Sequence, residues 1–303
     1  MEARTGAASG GVTNAMSVDV EDYFQVSAFR PYIDPRDWGN HPLRVERNVH
    51  RLLDLFGQAG VRATFFWLGW LAERLPALLQ ATAAAGHEIA SHGYSHVRAY
   101  EQSPEEFRAD VQRTKRLLED ISGQHVAGYR AASFSIDARN LWALDILLES
   151  GHLYSSSINP IRHDHYGMPD APRFACRMPG HPLLEIPITT IEIGSRRFPC
   201  SGGGFFRLIP YWLSRTAIRR VSQGEGRPVV FYFHPWEIDP EQPRVAGIDL
   251  KTRFRHYVNL PRFEGKLRRT LADFRWGPVR EVFADAIASP AGPSGSGDVR
   301  AMR

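Results

Sequence analysis

Four short segments carry residue types that can do chemistry together. Asp19-Val20-Glu21-Asp22 closes an apolar run that begins at Ala15. Residues two apart on a strand share a face, so Asp19 and Glu21 point the same way, and Asp22 joins them only if the chain turns. Read alone, the segment is equally well a solvated acidic turn. In Ser91-His92-Gly93-Tyr94-Ser95-His96, a helical turn after Gly93 sets His92 and His96 on one face, a spacing that suits two imidazoles on one metal ion. Taken singly, the pair is no more than two surface histidines. His87, five residues before His92, has the wrong parity for that face and reads as a structural residue at a strand start. Arg130 lies in Gly128-Tyr129-Arg130-Ala131-Ala132-Ser133-Phe134, where a guanidinium can clamp a carboxylate and the loop amides after it can face a developing oxyanion. The fourth segment, Val229 to Phe233, is apolar throughout, the mark of a strand buried on both faces, and it releases His234 at its end. Each segment is ordinary alone. Jointly they deliver acids, two histidines, an arginine and a further histidine to the ends of four strands.

Such delivery requires a parallel sheet, because ligands gather where parallel strands end and their loops open. The sequence alternates β-branched or aromatic runs with amphipathic segments, which predicts strands over 15–20, 61–68, 88–91, 126–131, 184–193 and 229–233, with a further one at 279–283. Val45, Val49, Leu52, Leu53 and Phe56 recur at helical spacing before Gly57 and Gly60. Ser103-Pro104-Glu105-Glu106 reads as a capped helix start running to about Gly123, and a third helix is expected over 137–150. The expectation is a single barrel-like α/β domain over 15–287. Tails without stable structure flank it at 1–14 and 288–303, and an irregular excursion rich in Pro, His and Arg covers 159–182.

Composition narrows the function classes. Of 303 residues, 43% are hydrophobic and 23% charged, which excludes a mainly disordered or fibrous chain. Lys and Arg number 37 against 33 Asp and Glu, and the arginines are scattered, so no nucleic-acid stripe is expected. Cys176 and Cys200 lack metal-site spacing and form one bridge at most. The start lacks the basic and apolar regions of a signal peptide, and no run is apolar enough to span a membrane, so a cytoplasmic protein is expected. Its slight basic excess permits loose attachment to an anionic membrane surface.

The four segments, in this order, resemble the motif pattern of polysaccharide deacetylases, the NodB-homology carbohydrate esterases. The stretch 16–237 is similar to the subgroup associated with exosortase and exopolysaccharide loci. The motifs carrying that likeness are S-V-D-V-E-D-Y-F-Q-V at 17–26, S-H-G-Y-S-H at 91–96, R-A-A-S-F-S-I at 130–136, Y-S-S-S-I at 154–158, R-H-D-H-Y-G-M-P-D-A-P-R at 162–173, S-G-G-G-F-F-R at 201–207 and F-H-P-W-E at 233–237, with F-R-H-Y-V-N-L at 254–260 beyond. The resemblance implies a distorted (β/α) barrel and removal of N-acetyl groups from hexosamines of a poly- or oligosaccharide in exopolysaccharide biosynthesis. It implies Asp19 as general base, His92 and His96 as metal ligands, Arg130 as the residue orienting the base, His234 as general acid and the Ser133 amide as oxyanion donor. Two departures stand out. Val20 separates two acids that are usually adjacent, which points to Glu21 as the carboxylate ligand with Asp22 as rival, and Ala132 stands where proline is usual. The implied cofactor is a divalent metal, with zinc first and cobalt, manganese or iron able to replace it.

Tyr94 and Trp236 are candidates for stacking on sugar rings, with packing as the plain alternative. Gly202-Gly203-Gly204 has no phosphate-loop lysine and reads as a turn or a substrate-facing loop. His163-Asp164-His165-Tyr166, near Ser155 to Ser157, imitates a hydrolytic triad, but no Gly-x-Ser-x-Gly elbow supports one. Two other functions fit parts of the pattern: a glycosidase using Asp19 with Glu21 or Asp22, which leaves the histidines idle, and a sugar-binding barrel without catalysis.

Overall fold

The computed structural model describes residues 11–162 and 167–289. The apolar runs pair as parallel strands because each is buried on both faces and is followed by a helix that returns the chain to the same edge. Strand β1 (Asn14–Val20) is followed by helix α1 (Val45–Ala59). Next come β2 (Thr64–Trp67), α2 (Gly69–Arg74), α3 (Pro76–Ala84), β3 (Glu88–Ser91), α4 (Pro104–Ser122), β4 (Gly128–Tyr129), α5 (Trp142–Glu149) and β5 (Tyr154–Ser155). The second half contributes β6 (Cys176–Arg177), β7 (Leu184–Glu185), the hairpin β8 (Thr190–Ile193) and β9 (Arg196–Pro199), and the helices α6 (Gly203–Leu208) and α7 (Tyr211–Arg219). The chain then returns through β10 (Val230–Phe233), α8 (Leu250–Tyr257), α9 (Leu260–Asp273), β11 (Trp276–Gly277), α10 (Val279–Val282) and α11 (Ala284–Ala288).

The main sheet runs β10-β1-β2-β3-β4-β5-β7-β6, with β11 also on β1. All pairs are parallel except β6 with β7. The result is a curled parallel half-barrel, in agreement with the α/β barrel expectation. Its open side is filled by irregular chain: Thr189 Oγ1 accepts from the Val230 amide at 2.8 Å, and Gly202 lies beside Tyr232 as a lone parallel bridge. Gly202 has φ +125°, and a Cβ there would meet the Tyr232 carbonyl oxygen at 1.8 Å, so only glycine fits this approach. Val18, Phe65, Ile89, Phe231 and Phe233 are fully buried in the core. Each such side chain contributes roughly 1.5–3 kcal/mol relative to exposure.

Local signals explain the helix starts. Ser103 Oγ accepts from the Glu106 amide while Glu106 accepts from the Ser103 amide, the reciprocal cap that the sequence predicts for α4. Helix α1 ends at Gly60 in the left-handed conformation, with Gly57 inside it.

Several expectations are corrected. The run 184–193 is two strands, since Pro187 has no amide to donate and the chain leaves the sheet after Glu185 to form β8 in a separate hairpin. Of residues 279–283, Val279–Val282 are helical rather than extended and Phe283 is a turn. Pro278 stands at the cap of α10, and the last strand is Trp276–Gly277 just before it. Strand β4 covers two residues of the predicted six, and α5 starts at Trp142 because 137–140 form a turn closed by the Asn140 side chain. Asn14, assigned to the tail, opens β1 and bonds Arg275 O and the Val229 amide. The excursion 159–182 contains β6. Cys176 and Cys200 are both free thiols. Of the tails expected at 1–14 and 288–303, residues 1–10 and 290–303 lie outside the described residues, as does the His163–Tyr166 string, while Ala288 closes α11.

Candidate active site

Strand β1 delivers its acids as alternation predicts: Asp19 and Glu21 both line one pocket, of about 170 Å³, at the carboxyl ends of the strands. Asp22 faces the other way. It accepts hydrogen bonds from the amides of Tyr23 at 2.8 Å, Arg44 at 2.6 Å and Val45 at 2.9 Å, and so caps the start of α1. Burial raises the Asp22 carboxyl to about 6 against the pull of those amides.

His92 and His96 reach the same pocket, but not on a helix. Gly93 at φ +76° and His96 at φ +55° fold the segment into an irregular turn, which corrects the predicted helical geometry while keeping the two rings together, 5.3 Å between centroids. The Nε2 atoms of His92 and His96 lie 3.1 and 3.0 Å from Glu21 Oε1. His92 Nδ1 sits 2.7 Å from the Arg130 carbonyl, an acceptor for its N–H in the tautomer that would turn a bare Nε2 towards a bound cation. Glu21, His92 and His96 thus offer one ligand atom each, all within 4.8 Å of one another and all buried. Ligand atoms ~2.1 Å from a shared ion sit roughly 3–3.5 Å apart, so this set of one oxygen and two nitrogens fits a divalent cation. Burial works to raise the Glu21 carboxyl, but the charges of His96 and His234 and hydrogen bonds from His92 and His96 prevail and hold it well below the usual range.

Arg130 is fully buried and joins three strands. Its Nη1 donates to Asp19 Oδ1 at 2.6 Å and to Ser17 Oγ at 2.8 Å, while Nε and Nη2 donate to the carbonyl and hydroxyl of Ser156 at 3.1 and 2.9 Å. The Asp19 contact is a single donor from one nitrogen. His234 stands on the opposite wall, with Nε2 3.8 Å from Glu21 Oε1. Its ring Nδ1 and backbone amide both donate to Glu237 Oε1, at 3.0 and 3.1 Å, and Glu237 in turn accepts from Arg207 Nε at 2.7 Å. Burial disfavours charge on His234, yet Glu21, Glu237 and Asp19 outweigh it and raise the ring to about 9.

Ser133 lines the pocket in the left-handed conformation, φ +54°, its hydroxyl bonded to Ser27. Trp236 also lines it, but the ring stacks with His234 at 5.2 Å and His256 at 4.2 Å and is 5% exposed, so it supports His234 and has little face left for a sugar. Tyr94 does not line this pocket. Its hydroxyl bonds Glu73 and its ring is covered by the Arg113 guanidinium at 3.6 Å, which corrects the stacking expectation. His87 is structural: Nδ1 accepts from the Ala63 amide at 3.1 Å, and the ring packs on Phe56 and Phe65.

Sequence reasoning gave no part to Ser17, Ser156, Glu237 or Arg207. All four sit inside motifs already in view, S-V-D-V-E-D-Y-F-Q-V, Y-S-S-S-I, S-G-G-G-F-F-R and F-H-P-W-E, and these are the residues that orient Arg130 and His234.

Comparison with known proteins finds similarity over parts of the chain. Residues 37–146 match the polysaccharide deacetylase family model, and residues 156–284 match a domain of unknown function, DUF3473. A peptidoglycan-N-acetylglucosamine deacetylase of Bacillus cereus is 36% identical over 73 residues, 24% of this chain and 26% of that protein. A chitooligosaccharide deacetylase of a Bradyrhizobium species is 29% identical over 99 residues, 33% of this chain and 43% of that protein. Each match spans less than half of the relative's length. In fold, the chain is similar to a crystal structure from Mycobacterium smegmatis, of a protein proposed to be a polysaccharide deacetylase, with TM-score 0.60 and 22% identity over 94% of this chain and 95% of that one. Among the described residues, no helix is long and apolar enough to cross a membrane.

Proposed function

From the premise that residues 37–146 carry a polysaccharide deacetylase domain, we propose that this protein removes N-acetyl groups from hexosamine residues of a poly- or oligosaccharide with the help of a divalent metal, zinc first among those its ligands suit. The observation that carries the reading is the placement of the Asp19–Arg130 pair, the Glu21–His92–His96 cluster and His234 around one pocket. A cation held by Glu21, His92 and His96 supplies a Lewis acid that polarises the acetyl carbonyl and acidifies a water molecule.

The chain's own residues do the rest. Asp19 takes a proton from the water as its oxygen bonds to the acetyl carbon. Arg130, fixed by Ser17 and Ser156, keeps that carboxylate aimed. The Ser133 amide donates to the oxyanion. His234, its Nδ1 proton bound to Glu237, gives the Nε2 proton to the nitrogen as the C–N bond breaks. Acetate and a free amine leave.

The motif likeness to the exosortase-associated subgroup supports a role in exopolysaccharide production. With it goes a place of action in the cytoplasm, on a lipid-linked or nascent chain at the inner membrane face, where the basic excess favours loose contact with anionic lipid. Acetate release from N-acetylated oligosaccharides, with and without chelator, is the test. Chelator-sensitive acetate with chain length unchanged is expected. Chain cleavage would mark a glycosidase, and binding without acetate would mark a non-catalytic barrel.

A further inference from the structure

The pocket around the cluster holds about 170 Å³, below the roughly 300–1,000 Å³ usual for a site that encloses a whole ligand. It opens into a second cavity of about 550 Å³, and the two share Val26, Ser27, Ser133, Tyr232, His234 and Trp236. One wall of the larger cavity is the loop that follows β1, through Pro31 and Tyr32. The other wall comes from Gly203 and Gly204 at the start of α6 and from Thr252 and Arg255 of α8. All four belong to the stretch 156–284 whose family description names no function.

We infer that this cavity is the subsite for the sugar residues that flank the reacting N-acetyl group, so that the second half of the chain is the glycan-binding wall of the active site. The inference rests on the deacetylation reading above. Small pocket and large cavity divide the substrate as its chemistry requires, the acetamido group at the cluster and the rest of the glycan outside it. The lining suits sugars, which present hydroxyl edges and apolar C–H faces: Ser27, Thr252 and Arg255 offer polar groups, and Pro31, Tyr32 and Tyr232 offer flat apolar surface.

The wall is also rigidly tied to the catalytic end. Arg207 is 2% exposed, and its Nη atoms donate to the carbonyls of Arg255, His256 and Val258 while its Nε holds Glu237, the partner of His234. One buried guanidinium therefore fixes both the end of α8 and the ring that protonates the leaving nitrogen. Tyr32 Oη donates to Asp249 Oδ2 at 3.0 Å and links the two walls. At Gly204 a Cβ would meet only the far end of Arg207, at 3.6 Å, so a larger side chain there enters the cavity instead of displacing backbone.

The test uses N-acetylglucosamine and its β-1,4-linked tetramer as probes on the full chain carrying Gly204→Trp or Thr252→Trp, with Gly204→Ala as control. The readouts are the ratio of kcat/KM on tetramer to that on monomer and tetramer Kd by calorimetry in an Asp19→Asn background. In both Trp variants the ratio is expected to fall by ~10-fold or more with a parallel weakening of Kd, while Gly204→Ala keeps the wild-type ratio. An unchanged ratio, or equal losses on monomer and tetramer, would overturn the subsite. Failure of the two readings separates cleanly: tetramer binding weakened by Thr252→Trp in a protein that releases no acetate sustains the cleft and sinks the hydrolysis. Equal efficiency of the unmodified protein on monomer and tetramer does the reverse, and a tetramer that neither binds nor reacts defeats both.

Discussion

Glu21 and Asp22 are neighbours with opposite duties, and their hydrogen bonds separate them. Glu21 Oε1 faces two imidazole nitrogens at 3.0 and 3.1 Å, whereas Asp22 is spent on three backbone amides at the entrance of α1. Glu21→Gln, His92→Ala and His96→Ala should each lose stoichiometric metal on dialysis, because a weaker or missing third ligand costs ~10–100-fold in affinity or more. Asp22→Ala should keep its metal and lose ~2 kcal/mol of stability, since buried amides left without an acceptor are costly. Elemental analysis and denaturant midpoints check both halves, and metal retained by Glu21→Gln but lost by Asp22→Ala would reverse the assignment. Strand parity, a local property of period two, sets Glu21 beside Asp19 in the sequence, and the motif resemblance points the same way. The partners of Arg130 and His234 were not legible that way. Ser156 lies 26 residues from Arg130 and Arg207 lies 30 from Glu237, and only the folded sheet brings them together.

Among the elements, what the sequence made plain was whatever depends on neighbours along the chain. The Ser103–Glu106 cap of α4, the apolar stripe of α1 and the buried strands β1, β2, β3 and β10 all follow from local spacing. The histidine turn at 91–96 shows the limit of such reasoning. Spacing of four predicted a helix, and the left-handed residues Gly93 and His96 bring the rings together by another route. The same limit applies at Val279–Val282, whose β-branched ends suggested a strand before Pro278 was seen to start a helix. Among the described glycines Gly202 makes the closest backbone approach, as it lets irregular chain lie against β10 where the half-barrel would gape. Gly202→Ala should cost ~3 kcal/mol or more, from a Cβ driven into the Tyr232 carbonyl at a φ that L-residues avoid. Ser103→Ala, which removes one cap far from the pocket, should cost only ~1 kcal/mol and leave acetate release intact. Unfolding curves of the two variants side by side decide the matter, and equal small losses would show that the closure at β10 is slack.

Across the whole molecule one sheet joins the two matched stretches, since β1 lies between β10 of the second half and β2 of the first, and buried histidines give that common core a dependence on acid. His87 sits between Phe56 and Phe65, and burial, helped by the charge of Arg62, lowers its ring from 6.5 to about 4. His152, buried against Tyr129, is lowered by burial to about 3. Between pH 6.5 and 4 the unfolded chain therefore binds more protons at His87 than the folded one, so this residue's stabilisation is complete above pH 6.5 and is lost as pH falls. Asp22 and Asp110, both raised by burial to about 6, act in the opposite sense, because the folded state holds their protons more tightly, and their effect partly hides that of the histidines. The clean readout is a difference. His87→Asn keeps an acceptor for the Ala63 amide and cannot titrate, so its packing loss is the same at every pH. Relative to that variant, the unsubstituted protein should lose up to ~1.4 kcal/mol per pH unit from pH 6.5 towards 4, measured by urea midpoints at matched ionic strength. Parallel profiles would mean that His87 takes up its proton in the folded state, and the ring between the two phenylalanines would then have to leave the core as it charged.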